Sequence, residues 1–235
     1  MGGEQAHLQR LCQQLTADCT SADKKAIALH NYVRDISFGW TPYFDLASPA
    51  LTIALKTGHC NPKGELFVAL LKAAGIEARL HAVNIKADVL HGCFPDGAGP
   101  AAVTHTYTEV LLGSKWVKVD SYVVDGALFR QAQARLRQEG RTTGYGIHVE
   151  GTVEWDGKSD AFVQYVPQQQ SYMTVADLGQ IDSTARLMSE PLYLQRGVQR
   201  VLTPFRLMPG WFMRMVNARV QAVRQSNLAK ITPLG

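Results

Sequence analysis

The sequence lacks any hydrophobic run long enough to cross a lipid bilayer, which takes about 20 consecutive apolar residues. Its amino-terminal residues also lack a basic segment followed by an apolar stretch, so we expect no signal peptide. The charge and the apolar fraction are ordinary for a globular protein. These absences argue against a membrane-spanning or secreted protein and lead us to expect a cytoplasmic one.

Cysteine is scarce, and none of its four positions has the spacing of a zinc site. The loop at 85–100 contains His91 and Cys93, but a metal site would need a second pair of ligands. We therefore expect no metal and no cofactor, and thiols that remain reduced rather than a disulfide framework. The four cysteines are Cys12, Cys19, Cys60 and Cys93.

Internal repeats and low-complexity tracts are also absent, and 235 residues suit one large domain with an extension. We place the main domain at 1–185 and a basic helical extension at 186–235. The extension carries eight cationic residues against one glutamate, a net charge of +7, whereas the whole chain is at +4. The main domain is therefore slightly acidic.

The last part of the extension, 210–228, interleaves apolar residues with arginines after Pro209. Such a basic amphipathic helix can contact an anionic membrane surface or an acidic partner. Alternatively, its apolar face packs on the core and its arginines are solvated, and we favour this reading. No nucleic-acid partner is expected, because no binding motif accompanies the charge.

What the sequence does contain is a cysteine directly ahead of a helix start. Asn61 is a good N-cap, Pro62 suits the first helical position, and Gly75 ends the helical pattern. The spacing predicts a helix over 62–74 with Cys60 just before its first turn. Unpaired N–H groups and the helix dipole would favour a thiolate there, although a buried free cysteine is equally compatible with Cys60 alone.

A β-hairpin further along the chain adds a base and a carboxylate. Residues 103–112 and 115–120 are rich in strand-forming residues, and the two residues between them begin with Gly113. The register predicted for this hairpin places Asp120 diagonally next to His105 on one face. A nucleophile, a general base and an orienting group thus follow in the order Cys60, His105, Asp120.

These segments resemble the transglutaminase-like superfamily. Residues 58–79 resemble its Cys-bearing helix and the Ala-Gly-Ile-x-Ala-Arg turn that follows, 105–110 its His-x-Trp-x-Glu-Val strand, and 116–120 its Trp-x-x-Val-Asp strand. The resemblance covers about 23–125 and preserves order and spacing. It implies a papain-like active site. Asn61-Pro62-Lys63 after the cysteine and Ser121-Tyr122 after the aspartate depart from the usual residues.

Other residues near these segments are candidates for an oxyanion site or a substrate cleft. Trp40 and Tyr43 either pack in the core or supply a donor or a wall, and Asn61 and Tyr107 are further candidates. His59 directly precedes the cysteine, and we expect it to be too close in sequence to turn back as its base. His148 is expected to be a polar strand residue.

The remaining segments predict an α+β fold of helices packed on an antiparallel sheet, with a papain/transglutaminase-like core and a helical C-terminal extension. We predict helices over 4–19, from Ser21, from Ser48 to Gly58, and over 126–139. We predict strands over 78–84, 144–155 and 160–166.

Three classes of function are compatible with these residues. The first is a thiol enzyme that forms a thioester with an amide, peptide or protein substrate and passes the acyl group to water, which we favour. The second passes the acyl group to an amine, as transglutaminases and other amide-forming enzymes do. The third is a binding module without catalysis, and the intact set of Cys60, His105 and Asp120 argues against it.

Overall fold

A four-stranded antiparallel sheet forms one layer of the fold in the computed structural model, which describes residues 2–95, 101–166, 173–187 and 210–228. The strand order is β5-β4-β3-β8, so consecutive strands β3, β4 and β5 are neighbours. The mixed fold of helices and antiparallel sheet confirms the predicted class. The strands of this sheet are β3 (Ala78–Lys86), β4 (Ala102–Leu112), β5 (Lys115–Val119) and β8 (Thr174–Ile181).

Helices form the other layer, with α4 at its centre. Three amino-terminal helices pack on α4, and α4 in turn packs on β3 and β4. As predicted, Ser21 caps α2 and Ser48 caps α3, each accepting a backbone N–H of the first turn. The helices are α1 (Gly2–Leu15), α2 (Ala22–Asp35), α3 (Pro49–Leu55) and α4 (Cys60–Ala73), and a 3₁₀ turn spans Phe44–Leu46.

Helices α1 and α3 both end earlier than predicted. Helix α1 was predicted over 4–19 but ends at Leu15. Helix α3 was expected to stop at Gly58 but ends at Leu55. Lys56 takes a left-handed conformation, and Thr57–Gly58 then forms β2, which pairs in parallel with β1 (Ser37–Phe38). This small sheet brings the chain to the start of α4.

The start of α4 differs from the prediction by one or two residues. The N-cap is His59 rather than Asn61, and Cys60 is the first helical residue. Pro62 therefore lies inside the first turn, where the missing N–H of a proline leaves no intrahelical bond unmade. The helix ends at Ala73 and Gly75 has φ +76°, in agreement with the predicted stop.

The β4–β5 hairpin has the predicted register through its first residues. Leu112 pairs with Lys115 and Glu109 with Lys118 across the two-residue turn, whose first residue Gly113 has φ +63°. The ladder ends at the pair Thr108–Val119. The predicted strand over 115–120 is therefore one residue too long, because Asp120 leaves the ladder and its N–H donates to Ala161 O.

The segment after the hairpin contains less strand than predicted. Helix α5 (Gly126–Glu139) ends at Gly140 as expected, but the strands over 144–155 and 160–166 reduce to β6 (Thr143–Gly144), β7 (Ile147–His148) and a single bridge at residue 161. The amides of residues 163–165 bind the Asp120 carboxylate instead of joining a ladder. The predicted strand over 160–166 is therefore wrong here, because its backbone N–H groups donate to a side chain.

Strand β8 was not predicted from the sequence. Its apolar residues Val175, Leu178 and Ile181 are three apart rather than alternate, and Gly179 interrupts them. The pairing with β3 shifts register twice, which explains why the two-residue period of a regular strand is missing. A short helix α6 (Thr184–Leu187) follows.

The basic helix α7 (Gly210–Arg224) packs on the main domain through α5. Met213, Val216 and Val220 are buried, whereas Trp211 is 63% exposed. The apolar face therefore packs on the core, as we favoured, and the proposed membrane or acidic-partner contact stays a prediction. None of the helices in the described ranges is long and apolar enough to cross a membrane. The predicted boundary at 185/186 stays a prediction, and 188–209 lie outside the described residues.

Lys63 joins the first turn of α4 to two other parts of the chain. Its side chain is fully buried, and Nζ donates to the carbonyl oxygens of Arg34 at 3.2 Å, Ile36 at 2.7 Å and Val123 at 2.9 Å. Burial lowers the pKa of Lys63 to about 7, against the effect of nearby Asp125, yet three acceptors match the three N–H groups of an ammonium. The helix end that carries Cys60 is thereby held to α2 and to the segment after Asp120.

Candidate active site

Cys60 lies at the amino end of α4 beside a small cavity. The residue is buried, and its Sγ is 3.5 Å from Asn61 Oδ1 and 3.8 Å from Thr104 O on β4. The N–H groups of the first helical turn have no carbonyl partner within the helix, so the cavity faces the positive end of the helix dipole. The predicted position of this thiol at a helix terminus agrees with the structure.

His105 and Asp120 are in direct contact, as the sequence predicted. Nε2 of His105 is 3.0 Å from Oδ2 of Asp120, and both side chains are almost completely buried, with exposed fractions of 1% and 0%. The other ring nitrogen, Nδ1, is buried and has no hydrogen-bond partner within the described ranges. That nitrogen is left for the thiol of Cys60.

Asp120 is fixed by backbone amides that sequence reasoning missed. Its carboxylate accepts the N–H groups of Val163, Gln164 and Tyr165, the last at 2.9 Å. A carboxylate that accepts several N–H bonds is held in one orientation. No sequence signal connects the loop at 161–165 to position 120, because hydrogen bonds from backbone amides leave no residue preference behind.

Cys60 and His105 perturb each other's protonation. Burial raises the pKa of the Cys60 thiol, but the imidazoles of His105 and His59 outweigh it and lower that pKa to about 6. Burial lowers the pKa of His105, but Asp120 and the Cys60 thiolate outweigh it and raise that pKa to about 9. Between these two values a thiolate and an imidazolium coexist, which is the reactive form of a cysteine–histidine pair.

His59 also contacts the thiol, contrary to our expectation from its position in the sequence. Its Nδ1 is 3.8 Å from Cys60 Sγ, and its Nε2 is 3.4 Å from Asp45 Oδ1. As the N-cap residue, His59 has an extended backbone rather than a helical one, which lets an adjacent side chain reach the thiol. No pattern in the sequence groups Asp45 with His59 and Cys60.

Asn61 orders the floor of the site instead of capping the helix. Its Nδ2 donates to Asp45 Oδ1 at 2.8 Å, and its Oδ1 accepts the hydroxyl of Thr106 at 3.0 Å. The bond to Asp45 uses one of the two N–H groups of the Asn61 side-chain amide. Asn61 lines the cavity beside Cys60, as predicted for a cleft residue.

The other predicted cleft residues separate into two groups. Trp40 lines the cavity, and its ring stacks on that of His59 at 6.1 Å between centroids. Tyr43 is 44% exposed and does not line the cavity. Tyr107 is buried on the other side of β4, stacked between His81 and Tyr165, and does not reach the cavity either. The structure therefore does not bring Tyr43 and Tyr107 to this cavity, and their assignment to a substrate cleft stays a prediction.

The cavity next to Cys60 is small and mostly apolar. Its volume is about 40 Å³, and a buried water needs only about 10–15 Å³ of such space. Asp45, His59 and Gln164 are polar residues of the lining that the sequence did not single out. The apolar lining residues are Phe38, Trp40, Phe44, Ile85, Val89, Leu90, Phe94 and Val103.

The two other histidines discussed from sequence lie away from this cavity. His148 is buried on β7, where its Nδ1 accepts the N–H of Glu150 at 3.1 Å, which is a structural contact. His91 lies 3.6 Å from Glu139. Within the described ranges no three histidine, cysteine, aspartate or glutamate side chains are placed to hold a metal ion.

Comparison with known proteins identifies the family of this core. Residues 9–121 match the family model of the Transglutaminase-like superfamily, a range that contains Cys60, His105 and Asp120. The resemblance predicted from the sequence is thereby confirmed for this part of the chain. The family supports a cysteine-dependent enzyme.

A solved structure of a candidate cysteine protease from Cytophaga hutchinsonii is also similar to this chain, at 18% sequence identity and a TM-score of 0.39. The similarity covers 48% of this chain and 36% of that one, so the chain spans about a third of that protein's length. A search of curated proteins gives no significant match.

Proposed function

We propose that the protein is a thiol amidase or peptidase that forms a thioester at Cys60 and passes the acyl group to water. The observation that carries the proposal is the buried contact of His105 Nε2 with Asp120 Oδ2 at 3.0 Å, with Nδ1 left for the Cys60 thiol. This arrangement supplies a nucleophile, a proton carrier and an orienting carboxylate.

Acylation uses the thiolate–imidazolium pair. Sγ of Cys60 attacks the carbonyl carbon of the amide, and the carbonyl electron pair moves to oxygen. The N–H groups of Cys60 and Asn61 are at the helix terminus and bind this oxyanion. When the C–N bond breaks, the leaving nitrogen takes the proton from His105, and a thioester and a free amine result.

Deacylation reverses the proton transfer. Neutral His105 removes a proton from the incoming water, the new C–O bond forms, and the C–S bond breaks with its electron pair on Sγ. Asp120 holds the imidazole in the orientation that presents Nδ1 to the thiol side throughout both steps. The products are a carboxylic acid and the original thiolate–imidazolium pair.

Water is the acceptor that the cavity favours. A volume of about 40 Å³ admits a few water molecules. The amide substrate and an amine nucleophile with an alkyl chain both require the apolar wall to open, so water is favoured only as the acceptor that needs no further opening. Transfer to an amine is the second candidate function and uses the same acyl-enzyme, whereas a binding module would form no acyl-enzyme at all.

The test begins with a library of peptide amides and small arylamides incubated with the purified protein. Intact-mass spectrometry then looks for an acyl adduct on Cys60, and turnover is compared with that of Cys60→Ala. Water enriched in ¹⁸O reports hydrolysis by incorporation into the acid product. An added primary amine reports transfer by the appearance of a new amide.

The control variant is Cys93→Ala, because Cys93 is a buried cysteine away from the lining of the cavity. It should leave the adduct and the turnover in place. Thiol-dependent turnover with ¹⁸O in the product supports hydrolysis, and amide formation in its place supports transfer. Equal turnover by Cys60→Ala, or no adduct with any substrate, would contradict a thiol enzyme of either kind.

A further inference from the structure

The thiol of Cys60 has two imidazole neighbours, and each imidazole has its own carboxylate. His105 Nε2 is hydrogen-bonded to Asp120 at 3.0 Å, whereas His59 Nε2 lies 3.4 Å from Asp45 Oδ1, within ion-pair distance but without hydrogen-bond geometry. A single histidine with a single carboxylate is sufficient for the chemistry described above. The second pair therefore requires a separate explanation.

His59 is built into the site from several sides. Its ring stacks on Trp40 at 6.1 Å and lies 4.8 Å from Phe44, measured between centroids, and its side chain is almost completely buried. The two aromatic rings carry no charge, so the titratable groups that face His59 are Cys60 and Asp45. Asn61 binds Asp45 at 2.8 Å and keeps that carboxylate in place.

We infer that His59, oriented by Asp45, is a second catalytic histidine that stabilises the Cys60 thiolate by direct contact at 3.8 Å. The inference rests on the proposed thiol chemistry and assigns His59 a role distinct from that of His105. His105 exchanges its proton with the leaving amine and the incoming water. His59 keeps its proton and supplies a constant positive charge next to Sγ.

A fixed charge at this place helps both half-reactions. Before acylation it favours the thiolate, and during deacylation it stabilises the negative charge that returns to Sγ when the C–S bond breaks. His105 is neutral in the acyl-enzyme and becomes charged only as water attacks, whereas the charge of His59 is present throughout both half-reactions. Burial lowers the pKa of His59, but the Cys60 thiolate and Asp45 outweigh burial and raise it, which agrees with a histidine that remains protonated.

The test measures the pH dependence of alkylation of Cys60 by iodoacetamide, which needs no substrate. In the wild-type protein the rate should rise with an apparent pKa of about 6. His59→Gln should raise this value by about one unit or more, since an opposite charge at this distance shifts a pKa by about 1–3 units. Asp45→Asn should move it in the same direction, and His105→Gln should leave a thiol that still ionises more readily than in His59→Gln/His105→Gln.

His91→Gln is the matched control, because this histidine pairs with Glu139 away from the lining of the cavity. It should leave the alkylation profile unchanged. An unchanged profile in folded His59→Gln would overturn the inference. Because alkylation does not depend on turnover, that result leaves the amidase proposal intact, and a wild-type protein that reacts normally but turns over no amide would leave the inference intact.

A second measurement covers the case in which His59→Gln does not fold. Nuclear magnetic resonance of ¹⁵N-histidine-labelled protein can follow all seven imidazoles in the wild type and in Cys60→Ala. Loss of the thiolate should lower the pKa of two histidines, His59 and His105. A change confined to one imidazole would show that the thiolate interacts with His105 alone.

Discussion

The Cys60 thiol differs from the other three thiols in its surroundings. Burial raises the pKa of Cys12, and it raises that of Cys93 to about 12, whereas two imidazoles lower that of Cys60. Cys19 is partly exposed, and its Sγ lies 3.6 Å from Lys24 O. Only Cys60 therefore combines thiolate character with a position beside a cavity.

We expect iodoacetamide at neutral pH to modify Cys60 first. Thiolate fraction governs the rate, and the pKa values of Cys12 and Cys93 leave these buried thiols protonated. Peptide mapping after short exposure measures the order, with urea-unfolded protein as the control in which the four thiols should react alike. Faster labelling of Cys19 in the folded protein would contradict the thiolate at position 60.

The Cys60, His105 and Asp120 side chains should act as a unit in turnover. Cys60→Ala should abolish it, and His105→Ala should lower kcat by about 10²–10⁴-fold through loss of the proton carrier. The double variant should be little worse than Cys60→Ala alone, because the effects of such residues are not additive. Steady-state kinetics on a substrate found by the adduct screen measures this, and multiplicative losses would show that His105 works independently of the thiol.

Asp120→Asn should cost less activity than His105→Ala, as the role of an orienting group suggests, but it should also lower Tm. The carboxylate accepts N–H groups from Val163, Gln164 and Tyr165, and an asparagine would present a donor to some of them. The loss of stability was not evident from the sequence, which suggested only an orienting role for Asp120.

At this scale, the sequence predicted Cys60, His105 and Asp120 but missed His59, Asp45 and the loop amides. The first three are linked by a helix start and a hairpin register, both of which follow from local residue preferences. Asp45 reaches the site because a 3₁₀ turn follows β1, and no period or cap signals that approach. The sequence therefore predicted that these three side chains lie together, and it did not predict the contacts that surround them.

Helix α7 contacts several residues that line the site, and its Asn217 binds the backbone of Trp40. The Oδ1 of Asn217 accepts the N–H of Trp40 at 2.9 Å, and its Nδ2 donates to Trp40 O at 2.7 Å. These two hydrogen bonds resemble those between neighbouring β-strands, and they hold the backbone of Trp40, which lines the cavity. A Cβ added at Gly39 would lie 2.9 Å from Asn217 Oδ1, so glycine is needed for the approach.

We expect Gly39→Ala and Asn217→Ala each to lower the free energy of unfolding by about 1–3 kcal/mol, the cost of unsatisfied buried polar groups. Gly39→Ala acts by pushing Asn217 away, so the double variant should be no less stable than Asn217→Ala alone. Urea unfolding of the three variants measures this. Fully additive losses would show that Gly39 and Asn217 stabilise the protein independently.

Removal of residues 210–235 should destabilise the main domain rather than release a membrane anchor. It exposes the surface that covers Met213, Val216 and Val220, and it leaves Asp125 without Arg224, whose Nη2 is 2.8 Å from Asp125 Oδ2. Removing one partner of a buried ion pair lowers the free energy of unfolding by about 3–5 kcal/mol. Thermal unfolding should show a lower Tm or loss of soluble protein.

Vesicle sedimentation supplies the opposing measurement for this helix. Full-length protein should remain in solution with anionic phosphatidylserine vesicles, because the apolar face of α7 is already buried. Binding that disappears on truncation, with Tm unchanged, would instead establish the membrane contact.

At the scale of the whole molecule, the free energy of unfolding should fall as the pH drops below about 6.5, the pKa of an ordinary histidine. His30 is fully buried, and its Nε2 is hydrogen-bonded to Ser121 Oγ at 2.8 Å. Burial lowers the pKa of His30 to about 4. The unfolded chain takes up this proton near pH 6.5, whereas the folded one does so only near 4. The free energy of unfolding should therefore decrease between these values, by up to about 3 kcal/mol.

Urea unfolding at pH 7, 6, 5 and 4 measures the decrease, and His30→Gln is the control that removes the group. The variant should be less stable at pH 7 but show a shallower dependence on pH. A slope equal to that of the wild type would assign the acid sensitivity to other groups.

The order of helices and strands was largely predictable, and the exceptions have a common cause. Ser21, Ser48 and Gly140 mark helix ends by local conformation, and the structure agrees at each. The errors at 144–155, 160–166 and β8 lie where backbone groups bind distant partners or shift register. The secondary structure of these segments depends on tertiary hydrogen bonds, which the periodicity of the sequence does not reveal.

The three carbonyl groups around Lys63 also bear on how the protein folds. They belong to residues 27, 29 and 60 positions away in the chain. An ammonium cannot be buried before all of these segments have met, since a partly bound charge would pay desolvation without compensation. A folding intermediate in which only α4 has formed would therefore not contain a reactive Cys60 thiol. Assembly of the nucleophile coincides with closure of long-range loops, so chemical reactivity belongs to the fully folded chain alone.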